Sequence, residues 1–218
     1  SHVMLFDQDS YLSENSFNSL MECELSLLKR GVNLGAIGPV CIDPGSKSMY
    51  PITEYWGPFI KRKFLNGSEL CQASFLVASG SLIRVPVLQQ IGFMKEELFI
   101  DYIDVEWCYR AQSIGFELYA TSDSVLEHFI GDARVSFFGR SISMHSALRR
   151  YYLTRNCFRI LALQYIPIGY KIREVSLLFA RILAFFYLSN ERLRYSKLMI
   201  QAFSDAIRGR YGKLKEGA

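Results

Sequence analysis

Short apolar runs of β type alternate with amphipathic helical segments from Leu34 to His128, and from Leu148 helical spacing alone continues toward the C-terminus. A chain patterned this way must build a sheet and cover it with helices, because each strand buries its apolar side only beneath another layer. Residues 34–42 alternate around small side chains as a strand. Residues 87–91 read as a short helix closed by Gly92, residues 103–114 as a helix stopped by Gly115, and residues 116–126 as a strand that returns to His128. Residues 75–78 read as a further buried strand running into Ser79-Gly80-Ser81. Ahead of these, residues 3–6 are strand-like and end in Asp7-Gln8-Asp9-Ser10. A surface helix follows, with Ser13 and Ser16 as candidate caps, apolar positions 17, 20, 23, 27 and 28, Glu24 out of phase, and a stop at Gly31. The aromatic and basic stretch 50–64, with Trp56 and Lys61-Arg62-Lys63, reads as a mobile loop.

The expected class is therefore α/β: a mixed sheet with flanking helices over residues 1–147, then a C-terminal α-helical region over residues 148–218. The helical region breaks at Pro167-Ile168-Gly169, and its apolar positions (175, 178, 179, 182, 183 and 186, then 198, 199, 203 and 206) lie on helix faces. Arg173, Arg181, Arg192, Arg194, Lys197 and Arg208 surround them. The charge divides at the same place. Residues 1–148 hold 11 Lys and Arg against 17 Asp and Glu, a net −6, whereas residues 149–218 hold 14 against 4, a net +10. An acidic front half suits cations, and a basic, aromatic-rich tail suits polyanions: phosphorylated substrates, anionic lipid headgroups or nucleic acid. Nucleic acid is disfavoured, since the acidic half repels phosphate backbones and the tail's cations are spread over helices with large apolar faces. Those helices equally suit a contact between copies of the chain. Half of the residues are hydrophobic and 21% charged, which excludes a disordered chain. The longest nearly apolar stretch, residues 175–188, carries Arg181 and is well short of the roughly 20 residues a spanning helix needs. Five widely spaced cysteines without a Cys-x-x-Cys pair read as reduced cytosolic thiols, mostly in the core.

Three groups of side chains could carry chemistry. Asp7 and Asp9 alternate just after a strand, so that a loop at its end can turn both toward one hard cation such as Mg2+ or Mn2+; the alternative is a turn with an Asx cap. Asp101, Asp104 and Glu106 lie among Phe, Ile, Tyr and Trp at a helix start, either as groups favoured by the helix dipole or as a general base in a partly apolar site. His128 follows a strand, where imidazole serves as a structural hydrogen-bonding group or as a manganese ligand. His145 reads as a helix-face residue and receives no role.

Five blocks then occur in one order: Asp7-Gln8-Asp9-Ser10, Ser79-Gly80-Ser81-Leu82-Ile83, the run from Ile91 to Trp107, His128, and Arg150-Tyr151-Tyr152-Leu153-Thr154-Arg155-Asn156. From about Val3 to Asn156 the chain resembles family 2 glycosyltransferases, and among them bacterial rhamnosyltransferases; the helical tail matches in character only. The resemblance implies a GT-A fold and a metal-dependent inverting transfer. L-rhamnose would pass from dTDP-L-rhamnose to a saccharide or lipid-linked saccharide acceptor, in bacterial surface polysaccharide (O-antigen) assembly on the cytoplasmic face of the membrane. Galactofuranose, glucose or N-acetylhexosamine donors are the alternatives, and a non-catalytic binding module is the competing class. By the same resemblance Asp7 and Asp9 form the Asp-x-Asp motif, Asp9 on Mn2+ or Mg2+ and Asp7 on metal or donor. Asp104 matches the catalytic aspartate and His128 a histidine of the metal shell. The family often has an acid before that aspartate, and here it is Ile103.

Around these residues, Ser79, Gly80 and Ser81 are expected to form a close-approach loop at the acceptor. Asp101 is placed there too, and Trp107, with Trp56, would stack on sugar faces, against burial of Trp107 in the core. Arg149, Arg150 and Arg155 would clamp a diphosphate, against a solvated helix face. The tail would anchor the enzyme on an anionic leaflet. In this family about 80–100 residues precede the Asp-x-Asp motif and help complete a domain of ordinary size. A further expectation follows: the donor pocket is incomplete here, the chain is nearly inactive alone, and its open sheet edge pairs with another copy.

Overall fold

Residues 34–42 are buried almost without interruption, the mark of a strand covered on both faces in a partly parallel sheet. The computed structural model describes residues 1–128, 134–137, 140–143, 146–188 and 191–214; His145 lies outside them. In chain order the elements are β1 (His2–Met4), β2 (Tyr11–Leu12), α1 (Ser16–Lys29), β3 (Leu34–Ile42), β4 (Ile52–Trp56), β5 (Phe59–Lys63), β6 (Leu70–Gln72), β7 (Leu82–Arg84), α2 (Val85–Ile91), α3 (Ile103–Ser113), β8 (Glu117–Glu127), β9 (Arg134–Phe137), β10 (Arg140–Ser143), α4 (Ala147–Ala162), α5 (Ile168–Leu188) and α6 (Arg192–Ile207). They form two compact units. One contains Ser1–Trp56, Ile60–Phe93 and Trp107–Ile130; the other contains Gly57–Phe59, Met94–Glu106 and Gly131–Ala218.

The first unit is built on a six-stranded mixed sheet in the order β1-β7-β3-β8-β2, with β6 also paired to β8. Its axis is the parallel pair β3 and β8, which runs from Leu34 opposite Glu117 to Ile42 opposite Glu127. The register shifts at Pro39/Val40, where proline cannot donate to the ladder. Helix α1 covers this pair with Leu20 and Leu27, which meet Leu34, Ile37 and Leu82 in one apolar cluster. Glu24, out of phase in the apolar pattern, is 3% exposed on that same buried face. His2 Nε2 at 2.7 Å and Arg84 Nε at 3.3 Å reach its carboxylate, which is how a charge is tolerated there.

Three local expectations are corrected. Residues 75–78 form no strand: Ser81 Oγ donates to Val77 O at 2.6 Å and Gly80 is left-handed (φ 77°), which closes a turn, and the sheet is joined by β7 just beyond it. The stretch 50–64 is no loop, since β4 and β5 pair across the two-residue link Gly57-Pro58. Ser13 and Ser16 do not cap α1; their hydroxyls bond each other at 2.6 Å, and the cap position is a left-handed Asn15.

In the second unit α4, α5 and α6 pack together around Tyr151, Tyr152, Phe185, Tyr195, Met199 and Ala202. A buried polar network ties α4 to the loop ahead of α3. Three non-glycine residues of that loop, Phe99, Asp101 and Tyr102, have φ between 63° and 64°, a left-handed backbone that L side chains resist. Asn156 holds it: its Nδ2 donates to Leu98 O at 2.7 Å and to Ile100 O at 2.8 Å. Arg155 in turn donates from Nε and Nη2 to Asn156 Oδ1 and from Nη1 to Gly212 O. Its guanidinium lies 5.3, 5.0 and 5.5 Å from the rings of Tyr151, Tyr152 and Tyr211, a contact in which aromatic faces replace lost water. Farther on, Tyr102 donates to Glu174 at 2.8 Å, and Arg173 and Arg181 complete the carboxylate's shell.

Asn156→Ala strands two buried carbonyls and removes the acceptor of Arg155, so it is expected to cost about 2–5 kcal/mol of stability, read as a lower urea midpoint at unchanged slope. An unchanged midpoint would show that the loop holds its left-handed backbone without the clamp.

Candidate metal centre and catalytic acid

The carboxyl ends of β3 and β8 lie side by side, Ile42 opposite Glu127, and the backbone N–H of His128 donates to Ile42 O at 3.1 Å. In sheets of this kind ligands gather at such strand ends. The segment between β1 and β2 is drawn to the same place, because Tyr11 pairs with Glu127 and Gly80 N donates to Leu5 O at 2.8 Å. Within it Ser10 N donates to Asp7 O at 3.1 Å, a turn that puts both aspartates on one side.

The result is a cluster of Asp7, Asp9 and His128 whose ligand atoms all lie within 4.8 Å of one another. His128 Nε2 is 3.7 Å from Asp7 Oδ2, and Nδ1 is 3.7 Å from Asp9 Oδ1. The imidazole is almost covered, at 12% exposure, whereas the carboxylates are 59% and 54% exposed. Two oxygen donors opening to solvent with one rigid nitrogen donor behind them form a set that suits Mn2+ or Mg2+ and leaves room for further oxygen ligands.

Ser10 and Ser79, to which the sequence reading gave no part in this cluster, fix the imidazole. The N–H of Asp7 donates to Ser79 Oγ (3.2 Å), Ser79 donates to Ser10 Oγ (2.8 Å), and Ser10 Oγ lies 2.8 Å from His128 Nδ1. With Nδ1–H donating to Ser10, the lone pair of Nε2 points away from the serine and is available to a cation. The only sequence signal for Ser10 is its place directly after the Asp-x-Asp pair.

Ser79, Gly80 and Ser81 are thus not an acceptor loop. The two serines are 1% and 3% exposed and engaged inward. A β-carbon on Gly80 would sit 2.9 Å from Pro39 and 3.2 Å from Leu126, so the glycine permits close approach of the chain's own strands.

The acidic group at the start of α3 resolves into three different situations. Glu106 is fully buried against the hydroxyl of Tyr165, with Lys95 Nζ at 4.0 Å. Asp101 is held by Arg149, whose Nη2 is 3.1 Å and Nε 3.3 Å from its carboxylate. Asp104 is half-buried in the first turn, and its Oδ1 accepts from Val105 N at 2.9 Å. These positions place Glu106 with the packing and Asp101 with Arg149. Asp104 is the acid of the three that combines partial exposure with the positive end of a helix.

Other expected contacts are corrected by burial. Trp107 is 2% exposed and donates through Nε1 to Gly92 O at 2.9 Å, so it presents no face to a sugar; Trp56 is 79% exposed. Arg155 is 1% exposed and committed to the clamp on the α3 loop. Arg150 is also buried, with its guanidinium 3.4 Å from the centre of the Phe185 ring. Burial first, and then the like charge of Arg181, pull its pKa down to about 10. Neither of these arginines is placed to clamp a diphosphate. Of the three only Arg149 is partly open, and it faces Asp101.

No family model matches the sequence. Among solved structures, the crystal structure of GalNAc-T7 with UDP, GalNAc and Mn2+ aligns at a TM-score of 0.46 and 14% identity, over 87% of this chain and 41% of that one. The dTDP-rhamnosyl transferase RfbF of Shigella flexneri is 33% identical over 209 residues, which span 95% of this chain and 69% of the relative. Identity at that level across nearly the whole chain means that it belongs with that transferase, in the family 2 glycosyltransferases of the GT-A fold.

Proposed function

We propose that the chain carries the catalytic centre of a metal-dependent inverting transferase that moves L-rhamnose from dTDP-L-rhamnose to a saccharide or lipid-linked saccharide acceptor, in bacterial surface polysaccharide assembly. The observation that carries the reading is the convergence of Asp7, Asp9 and His128 at the carboxyl ends of the central parallel strands. The kinship with a dTDP-rhamnosyl transferase supports the choice of donor. Under this reading Asp7, Asp9 and His128 hold Mn2+ or Mg2+. Held there, the cation would supply positive charge that offsets the charge growing on the diphosphate.

The remaining chemistry belongs to the chain's own residues. An acceptor oxygen attacks the anomeric carbon, the bond from that carbon to the diphosphate oxygen breaks, and the acceptor's proton passes to the Asp104 carboxylate. The Val105 N–H keeps that carboxylate oriented. Ser10 and Ser79 keep His128 in one tautomer and one orientation. We place the catalytic core at residues 1–147 and a membrane-surface or oligomer contact in residues 148–218.

Release of dTDP from dTDP-L-rhamnose by the full-length protein, with Mn2+ and a crude lipid-linked saccharide acceptor, tests the reaction. Asp104→Asn is expected to lower kcat by about 10²–10⁴-fold with Mn2+ binding unchanged. If dTDP-rhamnose is ignored while another nucleotide sugar turns over, the donor assignment falls and the chemistry stands. Mn2+ titration followed by electron paramagnetic resonance tests the cluster apart from turnover. Ser10→Ala is expected to weaken Mn2+ about 10-fold or more, as loss of a residue that orients a ligand does, and Asp9→Asn to weaken it further. Equal affinity in wild type and Asp9→Asn would remove the cluster as the metal site.

A further inference from the structure

Helix α5 is turned out in an unusual way. Its buried positions include Glu174 and Tyr170 beside Leu178 and Phe185, whereas its exposed positions include Ile168, Ile172, Val175, Phe179, Leu183, Phe186 and Tyr187. From Ile168 to Phe186 the exposed apolar residues recur in steps of three or four, a stripe along one side of the helix for its whole length. Phe179 and Leu183, at its middle, are 57% and 61% exposed. No charged residue of α5 lies in the exposed class: Arg173 and Arg181 turn to the buried Glu174, and Lys171 is half-buried. Helix α6 repeats the pattern, with Leu193, Ile200 and Ile207 outward at intervals of seven. Here, however, the exposed neighbours are Arg192, Arg194, Lys197, Arg208 and Arg210.

We propose that the outward faces of α5 and α6 are a docking surface for an anionic phospholipid bilayer, on which the helices lie in the headgroup plane. Charge selects this occupant. Among the described residues from 146 to 214 the only exposed carboxylate is Glu191, already met by Arg194 at 3.0 Å, so a second copy would bring cations against cations, whereas anionic headgroups complement them. Spanning is ruled out for these helices, since none is long and apolar enough to cross a membrane. An interfacial helix needs what these present: a continuous apolar stripe that sinks to the acyl boundary and cations at its margin. The margin is visible where α5 meets α6. Arg192 lies 6.0 Å from the ring of Phe186 and donates to Tyr187 O at 3.4 Å, which sets a guanidinium and two aromatic rings at one level.

The inference does not depend on which sugar is moved, or on the metal. Co-sedimentation of the full-length protein with vesicles of phosphatidylcholine and phosphatidylglycerol, against phosphatidylcholine alone, tests it. Binding to the anionic vesicles is expected to exceed binding to the neutral ones, to weaken as salt is raised, and to fall about 10-fold or more in the double variant Phe179→Glu, Leu183→Glu. Both side chains point outward, so thermal unfolding of that variant should match wild type. The variant Phe179→Trp gives a direct reading of insertion: on adding anionic vesicles its tryptophan emission should shift to the blue and be quenched by brominated lipid, beyond any change in wild type. No preference for anionic vesicles, equal binding by the Glu double variant, or an unshifted emission from the Phe179→Trp variant each overturns the proposal. A dimer that the double variant abolishes, in a protein that ignores vesicles, overturns it in favour of a second copy.

Discussion

A single amide governs how Asp104 is presented. Asn156, on α4, gives both hydrogens of its side chain to carbonyls of the loop that leads into α3, and that loop carries three non-glycine residues in a left-handed backbone. Such a conformation costs of order 1–3 kcal/mol per residue and persists only where its surroundings over-determine it. Arg155 orients the amide, Tyr102 is tied to Glu174, and Asp101 to Arg149, so every part of the loop is held by the helices that follow it in sequence. The helical unit thereby sets where α3 begins, and with it the position of Asp104.

The cluster of Asp7, Asp9 and His128 rests on a separate constraint. Parallel pairing of β3 with β8 brings two carboxyl ends together, and the segment between β1 and β2 is bonded to both the 79–80 turn and the end of β8. The backbone N–H of Asp7 starts the chain of hydrogen bonds that ends on His128 Nδ1. The Ser79-Gly80-Ser81 turn, expected at the acceptor, is bonded toward His128 instead. Its serines are small polar residues in a tight turn, which in sequence looks the same whether the hydroxyls face a substrate or their own strand.

Periodicity located α1, β3, α2, α3, β8 and the C-terminal helical region with its break at 167–169, because each has an apolar face repeated over several residues. It misplaced a strand at residues 75–78, where a brief apolar run ends in a turn. It also passed over the β4–β5 pairing, where two short strands with little burial show no repeating apolar face. Glu24 was out of phase in the apolar pattern and in phase in the fold, since its partners His2 and Arg84 come from β1 and β7. Arginines 149, 150 and 155 looked equivalent by type and spacing. Burial separates them: a half-open ion pair with Asp101, a cation on the face of Phe185, and the support of a clamp.

What the sequence determined by itself was the α/β class, the helical end, the contrast of charge, and the acids and histidine worth watching. These are written in residue type and local period, which need no knowledge of neighbours in space. Only the tertiary structure decided that Asp7, Asp9 and His128 meet, that Ser10 and Ser79 serve His128, that Trp107 is core, and that the apolar side of α5 faces outward while its one carboxylate is buried. Those outcomes depend on contacts between residues far apart in the chain, or on which side of a helix its neighbours leave uncovered, and neither quantity is encoded in local pattern.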